Sequence, residues 1–260
     1  MNLLVFVKRV PDTESKIRIA PDGQGIVEEG LNFIISPYDE YAVEEALRLR
    51  EAKGGKVTVV CVGKEEALLI LRKCLAMGAD EALLIKDSAP ESFEGLRVAA
   101  AIASLVKQRF PNFDLLLFGK QSFGADNAQV PAMVAELLGI PQVNVVVKLI
   151  IEGRNGVAYR EIEGALEKVV FSLPAVISAQ KGLNEPRYET LKGIMAAKKK
   201  EIPIIPIDEL GISEDFLTPK MEIIKLEMPP TKKAGRIIQL PPEEAAKEIV
   251  RFLREEAKII

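Results

Sequence analysis

The residues best suited to chemistry in this chain are Gly119-Lys120-Gln121-Ser122-Phe123-Gly124-Ala125-Asp126-Asn127-Ala128-Gln129-Val130. They follow a short apolar run at 114–118 and lead into an apolar stretch of helical spacing, Val130, Val134, Leu137 and Leu138. Glycine lets backbone amides approach a ligand, and a helix N-terminus adds unpaired N–H groups with positive partial charge. A strand, a glycine-bearing loop and a helix in that order can therefore cradle a phosphate. Neither GxxxxGKS/T nor GxGxxG occurs, so this is not a Walker loop or a dinucleotide turn, and on local grounds a plain turn is the commoner reading. Ser36-Pro37-Tyr38-Asp39-Glu40 opens another helix that could offer amides to a second part of the same ligand, or only a cap. Lys8-Arg9, after the first apolar run, could meet a phosphate or stand in solvent.

What is missing narrows the chemistry. The 260 residues contain no histidine, the usual base in Ser and Cys nucleophile triads and a common zinc ligand. Hydrolase and metalloenzyme readings lose weight, leaving chemistry brought by a cofactor or none. Cys61 and Cys74 are too far apart for a CxxC pair and lie in apolar stretches, which reads as two reduced core thiols. A net charge of -3 and a pI near 5.4 supply no field for a polyanion, so nucleic acid is not an expected partner. The opening MNLLVFVKR places its charges after the apolar run, and no window approaches a membrane span, so a cytoplasmic protein is expected.

Runs at 3–7, 56–62, 81–85 and 114–118 have the texture of strands buried on both faces. Between them, Val43, Ala46, Leu47 and Arg50 share a helical face, as do Leu68, Leu71, Arg72 and Leu75 before Gly78, and Val98, Ala101, Ile102 and Leu105. That alternation predicts βαβ units: an α/β fold with a doubly wound, mostly parallel sheet that binds ligands at the carboxyl ends of its strands. From Gln142 the texture changes to antiparallel hairpins at 143–150, 157–162 and 168–171, then a further apolar strand at 175–179. A long polar loop follows, and beyond Lys198-Lys199-Lys200 prolines at 203, 206, 219, 229 and 230 precede a last helix near 242–256. The lysine run reads as a solvated face or as a surface that steers acidic partners. The proline-punctuated stretch reads as an arm lying on a partner. The expected division is a nucleotide-binding domain over 1–195 and an arm with a terminal helix over 196–260.

Several of these stretches together resemble one family. Tyr159-Arg160-Glu161-Ile162-Glu163-Gly164-Ala165-Leu166-Glu167, continuing through Leu173-Pro174-Ala175-Val176-Ile177-Ser178, is similar to the signature of electron transfer flavoprotein β subunits. Leu183-Asn184-Glu185-Pro186-Arg187-Tyr188, with Leu191, Ile194 and Met195, resembles that family's recognition loop. Val7-Lys8-Arg9-Val10, Ala42-Val43-Glu44-Glu45-Ala46 and Gly119-Lys120-Gln121 agree with it, so the resemblance covers the chain in order.

The resemblance implies a sheet like that of the adenine-nucleotide α-hydrolases and a heterodimer with an α subunit, which holds most of a shared FAD. It implies an adenine nucleotide on this chain at Phe6, Lys8, residues 36–39, Val62, Gly63 and residues 119–130. It also implies docking of flavin-containing dehydrogenases through Leu191, and a weaker role for Glu161 in flavin-domain motion. A quinone oxidoreductase and NADH are further candidate partners. Many members have Asn-Gln-Thr where this chain has Ala128-Gln129-Val130, so a hydroxyl suited to the phosphate of AMP is missing. Asp126-Asn127-Ala128-Gln129-Val130 and Pro11-Asp12-Thr13 are more like members that carry a second FAD on β and bifurcate electrons from NADH. Those members more often continue Val-Gly-Pro where Val130-Pro131-Ala132 stands here, yet a second FAD is favoured over AMP. Two other readings compete: a free-standing adenine-nucleotide sensor, which leaves the loop at 183–200 without a job, and an ATP-cleaving enzyme, which would want a Ser-Gly-Gly type loop after the first strand.

Overall fold

Strand and helix alternate from the first residues of the chain. In the computed structural model, which describes residues 1–87, 89, 94–230 and 235–260, the apolar run after Met1 forms β1 (Asn2–Val7). A short ribbon of β2 (Arg9–Pro11) and β3 (Phe33–Ile35) precedes α1 (Pro37–Lys53). Then come β4 (Lys56–Gly63), α2 (Leu68–Met77), β5 (Glu81–Lys86), α3 (Gly95–Arg109), β6 (Leu115–Gly119) and α4 (Val130–Leu138). Three long strands, β7 (Gln142–Glu152), β8 (Asn155–Ile162) and β9 (Ala165–Ser172), form hairpins before β10 (Ala175–Ala179). The rest comprises α5 (Leu191–Lys199), β11 (Ile204–Pro206), α6 (Glu214–Leu217) and α7 (Pro242–Arg251).

Among the described residues the main sheet runs β11-β5-β4-β1-β6-β10-β7-β8-β9. Every neighbouring pair from β11 to β7 is parallel, and β7, β8 and β9 pair antiparallel. Side chains alternate across each strand, which builds one core on each face. Leu3, Val5, Val57 and Val59 pack with α1 and α2, while Leu4, Phe6, Val60 and Phe118 pack with α3 and α4. This is the doubly wound α/β architecture expected from the alternating texture. At Gly78, φ 126° ends α2 in a conformation that a Cβ would strain.

β7 changes partner along its length. Its first half pairs with β10 and its second with β8; the register against β10 shifts between Val143 and Val146, a span that includes Val145 at φ 63°, and the register against β8 shifts between Val146 and Lys148. The Val145 N–H, lost to the ladder, donates to the buried Ser178 hydroxyl at 3.0 Å. A bulge of this kind turns the strand and lets one segment serve both a parallel sheet and a hairpin.

The boundary expected at 195/196 falls inside α5, and the first compact unit runs from Met1 to Leu226. Pro203 precedes β11 and Pro206 is its last residue; the strand pairs with β5, and Ile205, Ile207 and Leu210 are buried in the core beneath α3. A parallel edge strand tolerates proline where its N–H faces away from the neighbour. The lysine run is not uniformly solvated either: Lys200 donates to the carbonyls of Ala79 and Asp80, each at 2.8 Å. The second unit is Glu227–Ile260, and its helix α7 buries none of its residues.

Candidate functional site

Chain direction makes the sheet's opening. From β1 the chain moves outward through β4 to β5, then crosses back to place β6 on the other side of β1. The carboxyl ends of β1 and β6 are therefore the point where strand order reverses, and a crevice forms there. Asp39, in the first turn of α1, closes its floor. One carboxylate oxygen accepts the Lys8 N–H at 2.8 Å and the other the Gly119 N–H at 3.0 Å. Burial pushes this carboxyl up to about 7 against those two amide bonds and the Lys8 charge, which favour the anion. Burial likewise lowers the Lys8 ammonium, partly offset by Asp39 and Cys61. Gly119 fits only because it lacks a Cβ: the missing atom would meet the Asp39 carboxylate, and the Asp39 backbone nitrogen at 2.7 Å.

A cleft lined by both strand ends, the loop at 119–130 and α3 opens above this clamp. Phe6 and Phe118, paired in register across β1 and β6, stack with ring centroids 4.6 Å apart and line its interior. Lys8 donates toward the Ser122 hydroxyl at 3.5 Å on its polar side. Of the residues singled out in the sequence, Phe6, Lys8, Asp39, Val62, Gly119, Gln121, Ser122, Ala125, Asn127, Ala128, Gln129 and Val130 line the cleft. The others are not part of its lining. The Ser36 hydroxyl makes no cap bond; it accepts the Phe123 N–H at 3.1 Å, tying the start of α1 to the loop. Pro37 occupies the first turn of α1, and the Tyr38 ring lies 4.9 Å from the Lys120 ammonium. The Gly63 carbonyl accepts from Asp87, and Gln121 donates to Asp126 at 2.7 Å. Gly124, Asp126 and Ala128 have φ of 92°, 49° and 52°, so this loop stores backbone strain at two non-glycine residues.

The segment after β10 forms a second feature. Asn184 is buried and donates to the Tyr41 carbonyl and to Glu45, each at 3.0 Å. Arg187 binds Glu44 and Glu51 of α1. Beyond these anchors the chain turns apolar and outward: Tyr188 is 93% exposed, Leu191 84% and Met195 60%. Leu191 and Met195 stand one turn apart on α5, which Thr190 caps by accepting the Gly193 N–H. Ile194, between them, packs on the core, and Glu185 and Pro186 lie on the loop between the anchors. Glu161 is apart from this patch, at the exposed end of β8, where it accepts from Gln180 at 2.7 Å.

The model of the electron transfer flavoprotein domain matches residues 24–210. The chain is 44% identical to the electron transfer flavoprotein subunit beta of Bacillus subtilis, with 100% of each chain covered. It is 38% identical to that of Homo sapiens, covering 100% of this chain and 99% of the relative. The chain belongs to the electron transfer flavoprotein β-subunit family. The matched span includes α1, the loop at 119–130 and the anchored segment at 184–195, and the full-length matches add β1 with Phe6 and Lys8.

In this electron transfer flavoprotein β chain the cleft has a wall that local reading missed: Asp87 and Glu94 with Gly95, Val98 and Ile102 of α3. Asp87 holds Arg97 through two bonds, at 2.7 and 2.9 Å, and Arg97 reaches the Leu217 carbonyl at 2.6 Å. Burial raises the Asp87 carboxyl, but the Arg97 bonds, the Ala89 amide and the guanidinium charge outweigh it and hold it below the ordinary value. The available signal was an acidic residue directly after an apolar strand, at the end of the sheet where ligands bind. Burial pushes the Cys61 thiol up to about 12 and raises Cys74 too, so both are inert core thiols. Among the described residues no three His, Cys, Asp or Glu side chains cluster as metal ligands, and no helix is long and apolar enough to cross a membrane.

Proposed function

We propose that this chain is the β subunit of a cytoplasmic heterodimeric electron transfer flavoprotein, with an adenine nucleotide in the switch-point cleft. With an α subunit it relays electrons between flavin-containing dehydrogenases and an acceptor, and it has no bond-making site of its own. The observation that carries the reading is the loop at 119–130 curving over the carboxyl ends of β1 and β6 and ending at the N-terminus of α4. Amides and Lys8 suit phosphates there, and the stacked Phe6 and Phe118 suit a flat ring system.

The nucleotide favoured is a second FAD over AMP. Ala128 and Val130 line the cleft without a hydroxyl, which supports this choice. FAD bound there would supply electron-accepting chemistry, and the chain's part is to bind it, orient it and exclude water. The reading then extends to NADH oxidation with electron bifurcation. AMP would instead stabilise the fold by mass action.

Two surfaces support the partner assignments. The exposed Tyr188, Leu191 and Met195 offer the apolar anchor expected of a docking site for dehydrogenases. The unit Glu227–Ile260 leaves Ile237, Leu240, Ile249 and Val250 exposed along an amphipathic segment, as an arm that packs on the α subunit would.

The test is to isolate the chain with its copurifying partner, release nucleotides with acid and count them by mass spectrometry. Two FAD per heterodimer supports the second flavin. One FAD with one AMP overturns it in favour of a simple shuttle, and no nucleotide in the cleft overturns the binding reading.

A further inference from the structure

The loop that carries the apolar patch is fastened at its start to α1. Glu44, only 4% exposed at its side chain, accepts the Arg187 N–H at 3.2 Å and the guanidinium at 2.8 and 3.1 Å. The same guanidinium reaches Glu51, two turns further along α1. Asn184 adds its bonds to Tyr41 and Glu45, so Tyr41, Glu44, Glu45 and Glu51 all grip the loop from α1. At the far end of α5, Arg72 donates to the carbonyls of Ala197 and Lys200, which fixes the helix to α2. The side chains between these fastenings, Tyr188 and Leu191, have no such hold and point outward.

Fastening an exposed loop at both ends costs nothing at the moment of binding, because the ordering is already done when a partner arrives. The geometry points to Glu44 as a positioning residue for docking: through Arg187 it holds Tyr188 and Leu191 in the shape a partner meets, without touching that partner. This inference rests on the reading of the patch as the dehydrogenase-docking surface.

The test uses the intact heterodimer carrying Glu44→Gln, Glu51→Gln, Arg187→Lys or, as a control, Leu191→Ala. Hydrogen exchange over residues 183–199 is measured first. Reduction of the heterodimer by a purified FAD-dependent dehydrogenase then gives KM and kcat with the heterodimer as substrate. Glu44→Gln should speed exchange at 183–190 and raise KM about tenfold, the scale of losing one charge-assisted bond set, while kcat and bound flavin stay unchanged. Arg187→Lys, which keeps the charge but not the fork, should fall between wild type and Glu44→Gln. Glu51→Gln, at a half-exposed site, should move both readouts in the same direction by less.

Unchanged exchange and KM in Glu44→Gln and Glu51→Gln, beside a raised KM in Leu191→Ala, overturns the positioning role alone. An unchanged KM in Leu191→Ala overturns the docking reading, and this inference with it.

Discussion

Asp39 and Gly119 are eighty residues apart in sequence, yet the Gly119 N–H donates to the Asp39 carboxylate at 3.0 Å inside the protein. With its second oxygen on the Lys8 N–H at 2.8 Å, Asp39 clips together the ends of the two strands between which the cleft opens. The strands themselves end there, so without this side chain the buried Gly119 N–H and the part-buried Lys8 N–H would have no ladder partner.

At about pH 4, before the buried charge weakens the wild type, Asp39→Asn should cost about 1–3 kcal/mol, because an amide offers a single oxygen and leaves one of the two N–H groups facing its NH₂. Urea unfolding with a loss of that size, together with reduced nucleotide retention, is the expected outcome. A variant as stable as wild type would show that the clip is dispensable.

The same carboxyl imposes a pH dependence. Its ordinary value is 3.8, and burial lifts it to about 7 in the folded chain, with Lys8 and Glu40 as charged neighbours. Below 3.8 both states are protonated and the favourable contribution is fully present. As pH rises toward 7 the unfolded chain gives up its proton first, so stability falls by on the order of 4 kcal/mol and then levels off. Unfolding curves from about pH 4 to about pH 8 should show this slope, and Asp39→Asn should flatten it.

Gly119→Ala should push the start of α1 away from β6, since the new Cβ would meet the Asp39 backbone nitrogen at 2.7 Å as well as its carboxylate. Backbone cannot step aside as a flexible side chain does, so a loss of about 1–3 kcal/mol is expected together with emptying of the cleft. Nucleotide content per chain after gel filtration reads this directly.

On the opposite wall, Asp87→Ala should be worse than a surface change, at about 3–5 kcal/mol, because it leaves the Arg97 guanidinium largely buried without its partner. The pair contributes stability above the ordinary carboxylate range and loses it as pH falls through the lowered value of Asp87. Acid unfolding of wild type and Arg97→Met should therefore converge at low pH.

Val145→Gly is expected to stabilise. A β-branched residue at φ 63° carries strain of about 1–3 kcal/mol, which glycine removes at an entropic cost of about 0.5–1 kcal/mol. The melting temperature should rise by a few degrees, while Val146→Gly, in the buried ladder beside it, should lower it.

The sequence alone determined the pieces whose reasons are local. Apolar runs specify β1, β4, β5 and β6 because a strand covered on both faces must be apolar throughout, and helical spacing specifies α1, α2 and α3 because one face of each must pack. The loop at 119–130 was legible because its glycines follow a strand and precede a helix. Which strands lie side by side was decided only in three dimensions. Nothing near Asp39 in the chain indicates that β1 and β6 will meet above it, since that pairing depends on a crossover burying apolar faces far apart in sequence. β11, with three residues, is too short to show a period, and it reads as sheet only because β5 offers it an open edge. The bulge at Val145 and the grip of Glu44 on Arg187 belong to the same class: each residue is locally unremarkable, and the tertiary fold supplies the partner that gives it a role.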